Sequence, residues 1–449
     1  MKANTILSQF IAKEYTNKKF IIISLVFIVI ITIDLLISNI AAASSIASTQ
    51  ATVGFIAITV VYVIIQFFIL EFVRKKSESL KVRSSLVKYL DKIVAIIQYS
   101  VMLLPISIVL GMLLNGIYYT AILTWGISII YLLSITIISI LSLRFFLWYK
   151  SKKDFVILLY GLSSLIIAVR IAVTLAFYVM LLLGVTPERS ILSDVFIQDF
   201  DPDSILGILN NAYTTTSSIA FMLMWVATAI LLHNYYYRSK NVKTLSQIKY
   251  WLIVAIIPAY SMSDYFISDV IIPVTIGFDN VNYEVFITFQ GLGAGILLSI
   301  PFWVMARSIR SRSIPVRDYL TMSAIGIILF FTASSAMVDH APYPPYGFLT
   351  ILSMALSSYM ILVGLYSSAI SVSFDRNLRS FIQESVINQS KLLDSIGSAD
   401  LYQQIEKQVE KKLDEISTET GFESNIDESD IKEYLQQVID EIQNQKKGS

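Results

Sequence analysis

Three ionisable residues interrupt long apolar runs: Asp34, Arg170 and Asp264. A charged side chain at membrane depth is costly, so it pairs, lines a wet cavity or meets a ligand. At about 1.5 Å of helix rise per residue, Asp34 stands roughly 20 Å into its run, Arg170 roughly 22 Å and Asp264 roughly 20 Å. With Asp269 nearby, the expectation is one intramembrane charge cluster of Asp34, Arg170, Asp264 and Asp269. In that cluster Arg170 is too central to snorkel and should face a carboxylate or a wet cavity. An ion pair that fixes helix packing is the first expectation, and a ligand or ion site is the second.

A second constellation is Asp339-His340, followed by three prolines, Tyr343, Tyr346 and Gly347. Prolines stiffen a connection, and tyrosines suit a membrane interface. The plain expectation is a rigid extracytoplasmic turn with aromatic anchors. The sharper one is a ligand edge in which His340 titrates between about pH 5 and 8. Asp199, Asp201 and Asp203 superficially suggest calcium, but they lack the glycine and distal glutamate of an EF-hand loop. The stretch 184–214 therefore reads as a solvated acidic loop.

Enzyme chemistry finds no foothold. There is no G-x-x-x-x-G-K-[ST] phosphate loop, and Gly291, Gly293 and Gly295 fall inside an apolar run, where they suit close helix packing. Cysteine is absent, which excludes disulfides, thiolate catalysis and iron–sulfur clusters. The two histidines, His233 and His340, belong to opposite membrane faces and cannot share a metal or haem. No lysine lies in an apolar run, so a retinal Schiff base is excluded. The expectation is a non-enzyme with no cofactor and no metal.

The elements that position these residues follow from composition. Of 449 residues, 55% are hydrophobic and only 15% charged, against about one-quarter charged in soluble domains. A bilayer core takes about 20 apolar residues as helix, because lipid offers the backbone no hydrogen-bond partner. Such runs occupy 20–40, 52–73, 93–114, 117–143, 155–183, 215–237, 250–276, 285–306, 319–338 and 347–372. The fold class expected is all-α, a polytopic transmembrane bundle of about ten spans. The seventh run is the least regular, with Pro258 and Pro273 flanking Asp264 and Asp269, so it is either kinked or re-entrant. The small-residue stretch 39–48 resembles a cleavage site, but the run before it is longer than a signal region, and a retained anchor is expected.

Basic residues set the orientation. Arg74, Lys75, Lys76, Lys88, Lys92, Arg144, Lys150, Lys152, Lys153, Arg238, Lys240, Arg307 and Arg317 all fall in alternate connections. The opposite connections are acidic. A cell-membrane protein with both termini cytoplasmic follows, divided into a leader (1–19), a ten-helix transmembrane domain (20–374) and a cytoplasmic tail (375–449). The first 374 residues carry 25 Lys+Arg and 17 Asp+Glu, and the tail carries 9 and 16. So acidic a tail argues against nucleic acid as a partner. The lipid bilayer is the expected partner.

In the tail, Gly397 and Ser398 read as a helix stop and a new N-cap. Leu401, Ile405, Val409, Leu413 and Ile416 then form one apolar stripe, and Ile431, Leu435, Val438, Ile439 and Ile442 a second. Two such helices cannot stand alone, so residues 398–449 should pack on each other, on the basic inner loops or on another copy as a homo-oligomer contact.

From Asp339 to Phe348, and over Ser390-Lys391-Leu392-Leu393-Asp394-Ser395-Ile396-Gly397, the chain resembles an uncharacterised family of archaeal multi-pass membrane proteins. The resemblance covers the last quarter to third of the chain. It implies no activity and no catalytic residues, but suggests that the Pro-Tyr turn and the tail belong to one module. The reading favoured is a receptor-like or scaffold protein whose tail recruits or oligomerises. The alternatives are a secondary transporter using Asp34, Arg170 and Asp264, and an accessory subunit of a larger membrane complex.

Overall fold

The computed structural model describes residues 17–44, 49–81, 85–115, 117–183, 188–190, 203–237, 248, 250–259, 280–309, 313–335, 346–375, 378–379 and 391–420. The elements are α1 (Asn17–Ser44), α2 (Thr49–Lys81), α3 (Ser85–Asn115), β1 (Ile117–Tyr119), α4 (Thr120–Lys152) and α5 (Phe155–Leu183). Then come β2 (Glu188–Ser190), α6 (Ile205–Tyr237), α7 (Tyr250–Ala259), α8 (Asn280–Ile309), α9 (Ile314–Ser335), α10 (Phe348–Phe374) and α11 (Lys391–Thr420). Among the described residues, α1 to α6 and α8 to α10 are nine helices long and apolar enough to cross a membrane. The chain is a multi-pass membrane protein built as an all-helical bundle. Of the seventh expected span only α7 and its flank at Ile248 are described; Asp264, Asp269 and Pro273 lie outside the described residues.

Seven helices make a closed ring: α1 packs on α2, α2 on α3, α3 on α4, α4 on α5, α5 on α6, α6 on α8, and α8 back on α1. Inside it stand α9 and α10, packed on each other. Every residue of the apolar stretch of α10 is buried and 78% of that of α9, against 33% to 61% for the ring helices. The ring helices turn Ile, Leu and Val outward, as lipid-facing surfaces do. The hub is instead rich in small residues and hydroxyls, and these are what let helices close up in lipid. Ser353, Ser357, Ser358, Ser368 and Ser373 of α10 each donate to a carbonyl three or four residues back, so they carry no unmet donor into the interior.

Three glycines set the spacing of the hub. A Cβ on Gly295 of α8 would sit 2.9 Å from Ile328 Cα of α9, and one on Gly326 of α9 would sit 3.0 Å from Met360 Cβ of α10. A Cβ on Gly364 of α10 would run into the Ser323 hydroxyl and come within 2.6 Å of the Tyr319 carbonyl. The packing role expected of the glycine-rich run thus belongs to Gly295.

Two boundaries differ from the sequence reading. Helix α6 starts at Ile205 rather than at the expected 215, so the last ten residues of the expected loop, 205–214, are helical. Ser204 starts it, its hydroxyl accepting the Gly207 N–H at 3.0 Å and its carbonyl the Ile208 N–H at 2.9 Å. The polar run at this junction stays helical because Thr214, from the expected loop, and Thr216 and Ser218, from the expected span, bond back to the preceding turn. The fourth span begins with a strand rather than a helix: Ile117 to Tyr119 pairs antiparallel with Glu188 to Ser190.

Because Gly364 faces backbone rather than a flexible side chain, Gly364→Ala is expected to cost about 1–3 kcal/mol by overpacking, read as a lower midpoint of unfolding in SDS–detergent mixtures.

Candidate functional site

Helix α10 begins at Gly347, whose φ of 77° lies in the left-handed region, where glycine is unstrained. Glycine has no side chain with which to cap the helix. The cap comes from α1 instead. Asp34, only 1% exposed, accepts the Gly347 N–H at 3.2 Å, the Thr350 N–H at 2.9 Å and the Thr350 hydroxyl at 2.9 Å. Thr350 Oγ1 also lies 2.8 Å from the Ile31 carbonyl, and Ser38 donates to the Tyr346 carbonyl at 3.3 Å. A carboxylate here meets both the open N–H groups and the positive end of the helix dipole. Tyr346 is not an interface anchor as expected; it is buried, its ring edge-on to Phe55 at 5.8 Å.

Arg170 of α5 does the complementary task at the end of α9. It is 7% exposed. Its Nη2 donates to the Ser334 carbonyl at 3.2 Å and to Tyr213 Oη of α6 at 2.9 Å, with the guanidinium 4.9 Å over the Tyr213 ring. A cation at a helix C-terminus matches the dipole, and a ring face adds a cation–π contact. Among the described residues no carboxylate pairs with Arg170. Asp34 and Arg170 therefore do not meet each other as the expected cluster requires; each is taken by a helix end. Asp264, Asp269, Asp339, His340 and Tyr343 lie outside the described residues.

The opposite end of the bundle gathers Lys75, Lys76, Lys88, Lys92, Lys150, Lys152, Arg307 and Arg317 at helix termini. Two buried acids there are missed by the sequence reading. Asp91 of α3 accepts from Ser77 at 2.9 Å and from Tyr359 of α10 at 2.7 Å, with Arg74 Nε at 3.6 Å. Arg74 also donates to Glu71 and Tyr99, both at 3.0 Å, and Tyr99 donates to Glu71. Asp318 of α9 pairs with Lys76 and with Arg317, both at 2.8 Å. In the sequence Arg74, Lys76 and Arg317 serve only as markers of topology. The signal for their partners is an acid one or two turns from a helix end, flanked by basic residues.

Helix α11 docks against this basic end, on α10, α4 and α5. It runs unbroken through Gly397, so the expected helix stop is overturned. Gly397 is a close-approach residue: a Cβ would sit 2.5 Å from Val372 Cγ1 of α10. The buried face is Leu392, Leu393, Ile396 and Ala399, mostly upstream of the stripe expected from Leu401 onward. Ser395 donates to Asp154 Oδ2 at 2.7 Å, and Asp154 Oδ1 accepts the Val156 N–H at the start of α5. Asp400 accepts from Gln404 at 2.6 Å, and its Oδ2 lies 3.2 Å from the Ser373 hydroxyl of α10, whose one proton is shared with the Ile370 carbonyl. Burial pushes its carboxyl above the usual 3.8, while those donors and Arg144 pull the other way. The second tail stripe, 431–442, lies outside the described residues. Among the described residues no group of acids and histidines is arranged to hold a metal ion.

Comparison with family models, with curated proteins and with solved structures finds no match.

Two outcomes are expected. Asp34→Ala leaves the Gly347 and Thr350 N–H groups unmet, while the Thr350 hydroxyl keeps the Ile31 carbonyl, and should cost about 2–4 kcal/mol, whereas Asp34→Asn, which keeps an acceptor, should cost about 1 kcal/mol; SDS unfolding of the two variants checks the order. An acid with a raised pKa in the docked state stabilises docking fully below its released value, near 3.8, and loses that contribution as pH rises through the docked value. The mobility of a spin label on Lys407→Cys, unique in a cysteine-free chain, should therefore increase with pH from the acid range, and Asp400→Asn should flatten that dependence.

Proposed function

We propose that the protein is a non-catalytic, receptor-like component of the cell membrane, with both termini in the cytoplasm. The end bearing the connection between α9 and α10 senses, α10 transmits and α11 is the output. The observation that carries this reading is the enclosure of α10 along its whole length, with defined contacts at both ends. At one end Asp34 holds its N-terminus. At the other, Ser373 meets Asp400, and Val372 meets Gly397 of the tail helix. A helix gripped by a packed ring moves as a unit, because packed cores shift between discrete arrangements rather than deform continuously. A change at the Asp34 cap then reaches α11 without any ligand crossing the bundle.

A secondary transporter built on Asp34, Arg170 and Asp264 has less support, since Asp34 and Arg170 are each occupied by a helix end. The positive-inside pattern supports the cytoplasmic placement of the basic end and of α11.

The test places the label on Lys407→Cys and perturbs the far end of α10 with Asp34→Asn. Tail mobility should rise, and an impermeant maleimide should reach the introduced thiol in cells only after permeabilisation. Unchanged tail mobility in folded Asp34→Asn protein would sink the coupling, and labelling of intact cells would invert the topology.

A further inference from the structure

Helices α2 and α3 stand side by side in the ring, and each turns one face outward. On α3 that face carries Tyr89, Ile93, Ile96, Leu103 and Leu110, all between 51% and 67% exposed. Steps of three, four and seven residues keep them on one stripe, the side of a helix that meets lipid. Lys88 and Lys92 are exposed where this face reaches the basic end, Lys92 one turn before Ile96. On α2 the matching face runs from Ile64 through Phe68 and Glu71 to Lys75, which is exposed as well. Arg74 and Asp91 join the two helices at 3.6 Å. Lys75 and Lys92, the next residue on each helix, therefore stand at one level.

The charge along this edge is one-sided. Glu71 and Asp91 are engaged by Arg74, and Asp318 by Lys76 and Arg317. Glu78 is the one exposed acid described on this edge, and it can balance a single lysine at most. The connections 82–84, 238–249 and 310–312 at the same end contain no Asp or Glu. The acidic tail helix docks elsewhere, on α10, α4 and α5. Lys88 and Lys92 also repel each other, being like charges four residues apart on a helix. A soluble anion would meet the charge but make no use of the apolar stripe beside it, and a neutral lipid would do the reverse. Lysine stems lie along apolar surface while their ammonium groups reach the headgroup layer, where tyrosine is also at home. We propose that Lys75, Lys88 and Lys92, with Tyr89, hold the headgroup of an anionic phospholipid whose acyl chains run along Ile93 and Ile96. The proposal goes beyond the receptor reading and stands without it. The site also borders the hub, because Asp91, next to Lys92, accepts from Tyr359 of α10 at 2.7 Å.

The test uses the purified full-length protein in detergent, titrated separately with phosphatidylglycerol and with phosphatidylcholine of the same acyl chains. Native mass spectrometry counts the lipids retained. The wild type should retain phosphatidylglycerol at a lower half-saturating concentration than phosphatidylcholine. Lys75→Gln, Lys88→Gln and Lys92→Gln should each weaken that retention about fivefold, and the triple variant should bind the two lipids alike. Lys150→Gln/Lys152→Gln/Lys153→Gln removes the same charge from the turn between α4 and α5 and should keep the preference. All six lysines are exposed, so without added lipid these variants should melt with the wild type. Equal retention of the two lipids by the wild type overturns the proposal. Equal loss in the two triple variants does so too, because it marks a positive surface without a site. Where the wild type shows no preference but Glu428→Gln/Asp430→Asn/Glu433→Gln gains one, the occupant is the acidic tail and the lipid site falls.

Discussion

A helix end inside a low-dielectric bundle cannot be left open. Four N–H groups at one terminus and four carbonyls at the other need partners that lipid does not supply. In this protein the demand is sharpest at Gly347, where α10 begins with a residue that cannot cap itself. Asp34 answers it from a helix more than three hundred residues away in sequence. Arg170 answers the matching demand at Ser334. Two residues that look like a buried ion pair are thus two separate solutions to the same backbone problem, one of each sign, on the two sides of residues 336–345.

With those ends secured, the hub can be almost entirely neutral. Along its middle, serines such as Ser353, Ser357 and Ser358 fold back on their own helix, and its compactness comes from Gly295, Gly326 and Gly364. Charge reappears where α10 nears the basic end, and there it is paired closely: Asp91 with Ser77, Tyr359 and Arg74, and Asp318 with Lys76 and Arg317. These contacts tie α2, α3, α9 and α10 together at the end where α11 docks. The tail helix extends the same logic, burying Leu392, Leu393 and Ile396 while Ser395 and Asp400 find polar partners on the bundle.

Much of this is legible in the sequence, for identifiable reasons. Spans depend on length and apolarity, which are local, so the long apolar helices can be read directly. Asp34 and Arg170 stand out because a charge in an apolar run has few innocent explanations. Their partners do not, because a backbone N–H or carbonyl leaves no mark in sequence; only residue types do. Gly397 misleads for a related reason. Glycine ends helices and also lets them touch, and only the neighbour, Val372, decides between the two. The start of α6 is hidden by polar residues whose hydroxyls are satisfied within the helix, a local arrangement that hydropathy reads as loop.

The distance in sequence between Asp34 and Thr350 also orders the assembly of the molecule. The first apolar helix is made with an unmatched acid in it, and the groups that neutralise that acid arrive only with α10, 316 residues later. Until then the hub holds only α9, and Gly326 and Ser323 on it have no partner helix to close upon. Contacts of such range form last, after loop-closure entropy has been met elsewhere. The nascent bundle must therefore keep a wet or otherwise sheltered path to Asp34 during membrane insertion, and the final helix to enter is the one that seals it.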